Sequence, residues 1–134
     1  MNGMIRPVSI LLVMISAPVA AEDADKTLKL DNNPFKNIEV FCENQDDIKP
    51  SENDFKLIDY HTMSSDRGER QVIVTIKNTS SGGRSLNSSH FVATLGNCQY
   101  IKPIKFERKF MGKEVLTLTL DFGYSQYPIL QVLN

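Results

Sequence analysis

Val115-Leu-Thr-Leu-Thr-Leu-Asp-Phe122 alternates apolar and polar residues almost without a break. In an extended chain a period of two puts Leu116, Leu118, Leu120 and Phe122 on one face. Val115, Thr117, Thr119 and Asp121 fall on the other. A helix would scatter both sets around its circumference. The stretch therefore predicts a strand with one face on a core and the other toward water. Residues 71–77 read the same way, with Val72, Val74 and Ile76 on a common face.

Weaker strands group around these two. Residues 37–43 place Ile38, Val40 and Cys42 on one side, which would turn Cys42 toward the core. Residues 55–60, 90–95 and 99–106 are further candidates. Residues 27–30 read as a short opening strand and 127–133 as a closing one. Pro103 cannot donate a ladder hydrogen bond, so its strand is an edge or is broken there. Turn-forming residues separate the strands, in Asp31-Asn-Asn-Pro34, at 46–54 and 64–68, and in Met111-Gly-Lys113. No repeat, heptad or low-complexity tract is visible. Short alternating strands without helices between them predict an all-β fold, an antiparallel sandwich or barrel. An immunoglobulin-like sandwich of about seven to eight strands suits the length. There is no Trp, and Gly96 rather than Tyr stands two residues before Cys98, so any likeness to antibody domains is one of architecture.

The first twenty-one residues predict where the chain works. Arg6 precedes an apolar run, Val8-Ser-Ile-Leu-Leu-Val-Met-Ile-Ser16, too short to span a bilayer. Val19 and Ala21 supply small residues at the −3 and −1 positions of a signal-peptidase site. Residues 1–21 thus read as a secretory signal and 22–134 as a single exported domain, periplasmic or secreted. No cysteine follows the apolar run, so no lipid anchor is expected, and no second segment has membrane-spanning length. Losing Arg6 moves the formal net charge from −1 to −2. Such a balance gives no general affinity for nucleic acid or an anionic membrane. Charge is uneven along the chain: residues 22–69 hold 13 acids against 6 bases, and residues 70–134 hold 3 against 8. Pairing of the two parts across one fold, or simple solvation, is the expected reading, ahead of a polarised surface that steers a charged partner.

Cys42 and Cys98 are the two cysteines. In an exported chain they predict a disulfide. It would close a loop of about 57 residues and stabilise by about 4 kcal/mol in the chain-entropy picture. A metal-binding thiol pair and two free thiols are the competing readings; against the metal, no other Cys or His lies two to four residues from either.

Little points to catalysis. The histidines are His61 and His90, and no Gly-x-Ser-x-Gly elbow is present. No catalytic residue, no cofactor and no enzymatic activity are predicted. On a strand His61 and Met63 would share a face, and imidazole with thioether suits a soft metal such as copper. Further ligands would be needed, with His90 and Met111 available only in composition. Glu43, Asp46, Asp47, Glu52 and Asp54 form an acidic region without the ligand spacing of a calcium loop. Asn78-Thr-Ser80 and Asn87-Ser-Ser89 fit the N-glycosylation sequon. Residues 80–89 read as a flexible polar loop, lacking the Gly-Lys-Ser/Thr ending of a phosphate loop. Lys102, Lys105, Arg108 and Lys109, interleaved with Phe106 and Phe110, read as an edge strand protected by cations rather than a nucleic-acid patch.

Val72-Ile-Val-Thr-Ile-Lys-Asn-Thr-Ser80, a Ser/Gly turn, then His90-Phe-Val-Ala-Thr-Leu95 resemble small exported bacterial immunoglobulin-like domains of unknown function. In those domains a Gly-Lys-Glu turn leads into a Leu-Thr-Leu-Thr-Leu strand before an aromatic residue. Residues 112–122 are similar. The resemblance covers about the last 65 residues and implies a sandwich fold, with no activity attached. The expected role is binding of another protein or an envelope component, through loops or an exposed strand edge. A copper-binding protein using His61 and Met63, and a pilin- or adhesin-like subunit assembling by strand addition, are the alternatives.

Overall fold

Residues 71–78 alternate half-buried and buried positions, and the strand they belong to, flanked on both sides, organises the molecule. The computed structural model describes residues 3–5, 7–16, 25–43 and 48–134. Within them the chain is all-β with antiparallel pairing throughout and no α-helix. The strands are β1 (Lys29–Leu30), β2 (Phe55–Ser64), β3 (Glu69–Asn78), β4 (Arg84–Asn87), β5 (Val92–Leu95), β6 (Tyr100–Ile101), β7 (Glu107–Phe110), β8 (Val115–Tyr124) and β9 (Ile129–Leu133). They form a four-stranded sheet in the order β1-β2-β3-β8, a β4-β7 ribbon and a three-stranded sheet in the order β6-β5-β9.

All three assemblies feed one core. Val72, Val74 and Ile76 on β3, Leu86 on β4 and Phe91 before β5 are fully buried, and Phe110, Leu120, Phe122, Ile129 and Val132 pack with them. Each such side chain contributes about 1.5–3 kcal/mol relative to exposure. β2 keeps its apolar residues inward by means of a bulge. Leu57 faces Ile76, but Asp59 faces Thr75, so Ile58 is the extra residue. Phe55 and Tyr60, five positions apart, can then both point inward, while Asp59 and His61 face solvent. The β2–β3 turn requires Gly68, whose φ is +89°, a region that side chains disfavour. The last residue closes the fold: Asn134 Oδ1 accepts the N–H of Leu57 at 3.2 Å, and its amide donates to the carbonyl of Phe55 at 3.0 Å.

Several expectations are corrected. Residues 37–43 form no strand. The side chain of Asn33 accepts the N–H of Phe35 at 2.9 Å and starts a turn over 34–37, after which residues 38–43 pair with no strand. Cys42 therefore does not point into the core; it is half-buried at the surface. Residues 80–89 are not a flexible loop, because β4 pairs with β7 there and buries Leu86. Residues 99–106 hold only the two-residue β6, and the chain leaves the sheet ahead of Pro103. Lys102 and Lys105 lie outside strands, whereas Arg108 and Lys109 belong to β7. His90 is not in a strand: it ends a 3-10 turn, Ser88–His90, that precedes β5.

Candidate functional site

The segment 34–43 projects three large apolar side chains into water. Phe35 is 42% exposed, Ile38 59% and Phe41 75%. Apolar side chains exposed close together mark interaction surfaces, and these three lie within seven residues of chain. Both ends of the segment are anchored. At one end the Asn33 amide donates to the β9 carbonyls of Leu130 at 2.9 Å and Ile129 at 3.4 Å. At the other, a disulfide joins Cys42 to Cys98, with Cα atoms 5.7 Å apart. Cys98 sits in the β5–β6 turn at φ +63°. Pro34 and Phe35 line a small, mainly apolar cleft of about 120 Å³ with Pro128, Ile129 and Leu130. Sequence reasoning paired the cysteines but missed Asn33 and Phe35. The signal available was Asn33-Pro34, whose turn chemistry stops a strand from starting.

His61 and Met63 do share the outer face of β2, as the period of two requires. The imidazole is already engaged. Its Nε2 lies 3.1 Å from Asp59 Oδ2, and its Nδ1 lies 3.4 Å from the Lys36 ammonium. Lys36 also pairs with Asp59 at 2.6 Å and holds that carboxyl below the ordinary carboxylate range. An ammonium beside Nδ1 repels a second cation at the same nitrogen. Among the described residues no group of three or more His, Cys, Asp or Glu side chains converges. Met111 and His90 are not brought to His61. His90 instead accepts the Asn87 N–H on Nδ1 at 3.1 Å and lies 5.8 Å from the Phe55 ring.

A second cleft, of about 510 Å³, lies where the β2–β3 turn meets the end of β8. Arg67, Gly68, Arg70, Tyr124, Ser125 and Gln126 contribute to it. The Arg70 guanidinium donates to the Ser125 carbonyl at 3.1 and 3.2 Å and to Ser64, whose hydroxyl reaches Asp31. Tyr124 donates to Glu69 at 2.9 Å, which raises its pKa. Arg70 therefore fastens the β2 edge to the end of β8.

The remaining candidates are structural. Asn78 is wholly buried and donates to the carbonyls of Gly82 and Met111, both at 2.9 Å. Asn87 caps the 3-10 turn by accepting the Ser89 N–H. In the acidic region Asp54 pairs with Arg84 at 2.9 Å, one instance of the chain's acidic part meeting its basic part. Asp46 and Asp47 lie outside the described residues, as does the expected cleavage site at 19–21. No helix among the described residues is long and apolar enough to cross a membrane. Comparison with protein-family models, curated proteins and solved structures finds no match for the chain.

Proposed function

We propose that residues 22–134 are an exported, non-catalytic binding protein built as an immunoglobulin-like sandwich, recognising another protein or an envelope component. One observation carries the reading: Phe35, Ile38 and Phe41 are held in water by a segment anchored at Asn33 and at Cys42–Cys98. A segment anchored at both ends loses less conformational freedom on binding than a free loop. The disulfide fits a periplasmic or secreted site. Ile10, Leu11 and Leu12 are 75–85% exposed and add nothing to the core, as suits a leader that is removed.

The test is capture from the protein's own cell-envelope extract, with bound species identified by mass spectrometry. The reading expects a partner that is retained by the wild type and lost with Phe35→Ser/Phe41→Ser. A captured set unchanged by that double substitution would overturn it.

A further inference from the structure

β8 runs for ten residues along the side of its sheet and has a strand neighbour on one side only. Which of its backbone groups face the empty side follows from the ladder. Asn78 donates to the Glu114 carbonyl at 2.9 Å, continuing the register in which Lys77 faces Val115 and Ile76 faces Leu116. Bonded pairs alternate in an antiparallel ladder, so Leu116, Leu118 and Leu120 direct their N–H and C=O groups to β3. Val115, Thr117, Thr119 and Asp121 direct theirs outward. Ile104 donates to the Asp121 carbonyl at 2.7 Å, which agrees with this parity and ends the open stretch. Among the described residues nothing bonds the outward backbone groups of Val115, Thr117 and Thr119. Val115 is 48% exposed, Thr117 and Thr119 are exposed, and Leu116 and Leu118 are only half-buried.

This edge lacks the usual protections. Residues 115–120 contain no Lys, no Pro and no bulge. At the opposite edge of the same sheet, by contrast, β1 is two residues long.

We propose that β8 pairs antiparallel with β8 of a second copy of this chain, about a two-fold axis at Thr117. In that register Thr117 faces Thr117 of the second copy, and Val115 faces its Thr119. Every outward N–H and C=O of these three residues meets its complement, and no group already taken by Ile104 is needed. On the core side Leu116 comes against Leu118 of the second copy, extending burial where it is now incomplete. On the outer side the Thr75–Thr117 hydroxyl contact of 2.9 Å continues as a row of threonines across the junction. The same register sets Lys113, whose ammonium donates to the Thr79 carbonyl, level with Asp121 of the second copy just past each end of the ladder, and the two carry opposite charge. The contact is isologous and closes on itself, because it uses the β8 edge of both copies. An extended peptide could fill the same edge, but only a second copy supplies this matched set.

The experiment is sedimentation velocity on the purified chain across a concentration series, with Thr117→Lys and Thr117→Cys alongside. The wild type is expected to sediment at twice the chain mass at high concentration. Thr117→Lys, which sets two ammonium groups at the axis, is expected to halve that mass while keeping the wild-type circular dichroism. Facing Cα atoms in a bonded antiparallel pair lie about 5.5 Å apart, within disulfide reach. Thr117→Cys is therefore expected to give a covalent dimer under mild oxidation, and Thr119→Cys is not. A wild type that stays monomeric throughout overturns the proposal. So does a dimer that survives Thr117→Lys, or cross-linking at 119 rather than 117.

Discussion

Asn78 donates its side-chain amide to the carbonyl of Met111 at 2.9 Å, across 33 residues of chain. A second bond from the same amide reaches the Gly82 carbonyl, and Asn78 Oδ1 accepts the Ser80 N–H at 3.0 Å. This wholly buried residue ties the end of β3 to the turn before β8 and to the approach to β4. Asn78→Ala is expected to lower stability by about 2–3 kcal/mol, since buried acceptors lose their donors. Urea denaturation followed by circular dichroism measures it, and a loss under about 0.5 kcal/mol would show the site is not needed.

Gly112 lies in the same turn. A Cβ there would sit 2.1 Å from the Ser81 carbonyl oxygen, a backbone atom that cannot move aside alone. Gly123 has φ +75° but open space around it. Gly112→Ala is expected to destabilise by about 3 kcal/mol, the upper range for overpacking. Gly123→Ala should lose only about 1–2 kcal/mol from left-handed backbone strain. Thermal melts of the two variants decide the order, and the reverse order would contradict the turn geometry.

Burial pushes the pKa of His90 below its ordinary 6.5, and its Nδ1 must stay unprotonated to accept the Asn87 N–H. The unfolded chain therefore takes up this proton first as pH falls. The stability due to neutral His90 is complete above about pH 6.5 and is lost on acidification until the folded pKa is passed. Urea midpoints at pH 7.5 and 5.5 should fall further for the wild type than for His90→Gln. An equal fall would separate His90 from the effect. Asp59, with its lowered pKa, acts in a different window, losing its contribution as pH drops below about 3.8.

The Cys42–Cys98 bond spans 56 residues. Cys42→Ser/Cys98→Ser is expected to lower stability by about 4 kcal/mol. The bond holds a surface segment rather than a core strand, so the change should be local. Limited proteolysis is expected to cut near Phe41 in the variant but not in the wild type, while far-ultraviolet circular dichroism keeps its β form. Collapse of the β signal would place the bond deeper in the fold than its exposure indicates.

Leu86 is the single apolar residue of β4 and is fully buried. Leu86→Ala is expected to lower stability by about 2–5 kcal/mol, the range for cavity formation in a core. Equilibrium unfolding measures it. A small effect would mean the β4-β7 ribbon adds little to the core.

β3 and β8 were legible because both are long and carry an apolar face at every second residue. β4 and β7 were not. Arg84-Ser-Leu-Asn87 and Glu107-Arg-Lys-Phe110 each bury one side chain, and a single apolar residue has no period. Residues 37–43 failed in the opposite sense. Ile38, Val40 and Cys42 alternate well, yet Asn33 had already turned the chain and no strand pairs with them in the fold. Of the candidate site, the cysteine pair followed from a count of two in a chain whose first residues read as an export signal. The exposure of Phe35 and Phe41 did not, because an apolar residue reads as core until the space around it is known.

Side-chain order along the chain was enough to establish strands with one buried face, an all-β class and a single disulfide partner for each cysteine. These are local or combinatorial properties: the pleat repeats every two residues, and two thiols permit one pair. Pairing between distant strands, the bulge at Ile58, the surface position of the staple and the open side of β8 depend on tertiary structure. Backbone hydrogen bonds are alike for every sequence, so which strand a given strand meets is settled only when all the apolar faces compete for one core.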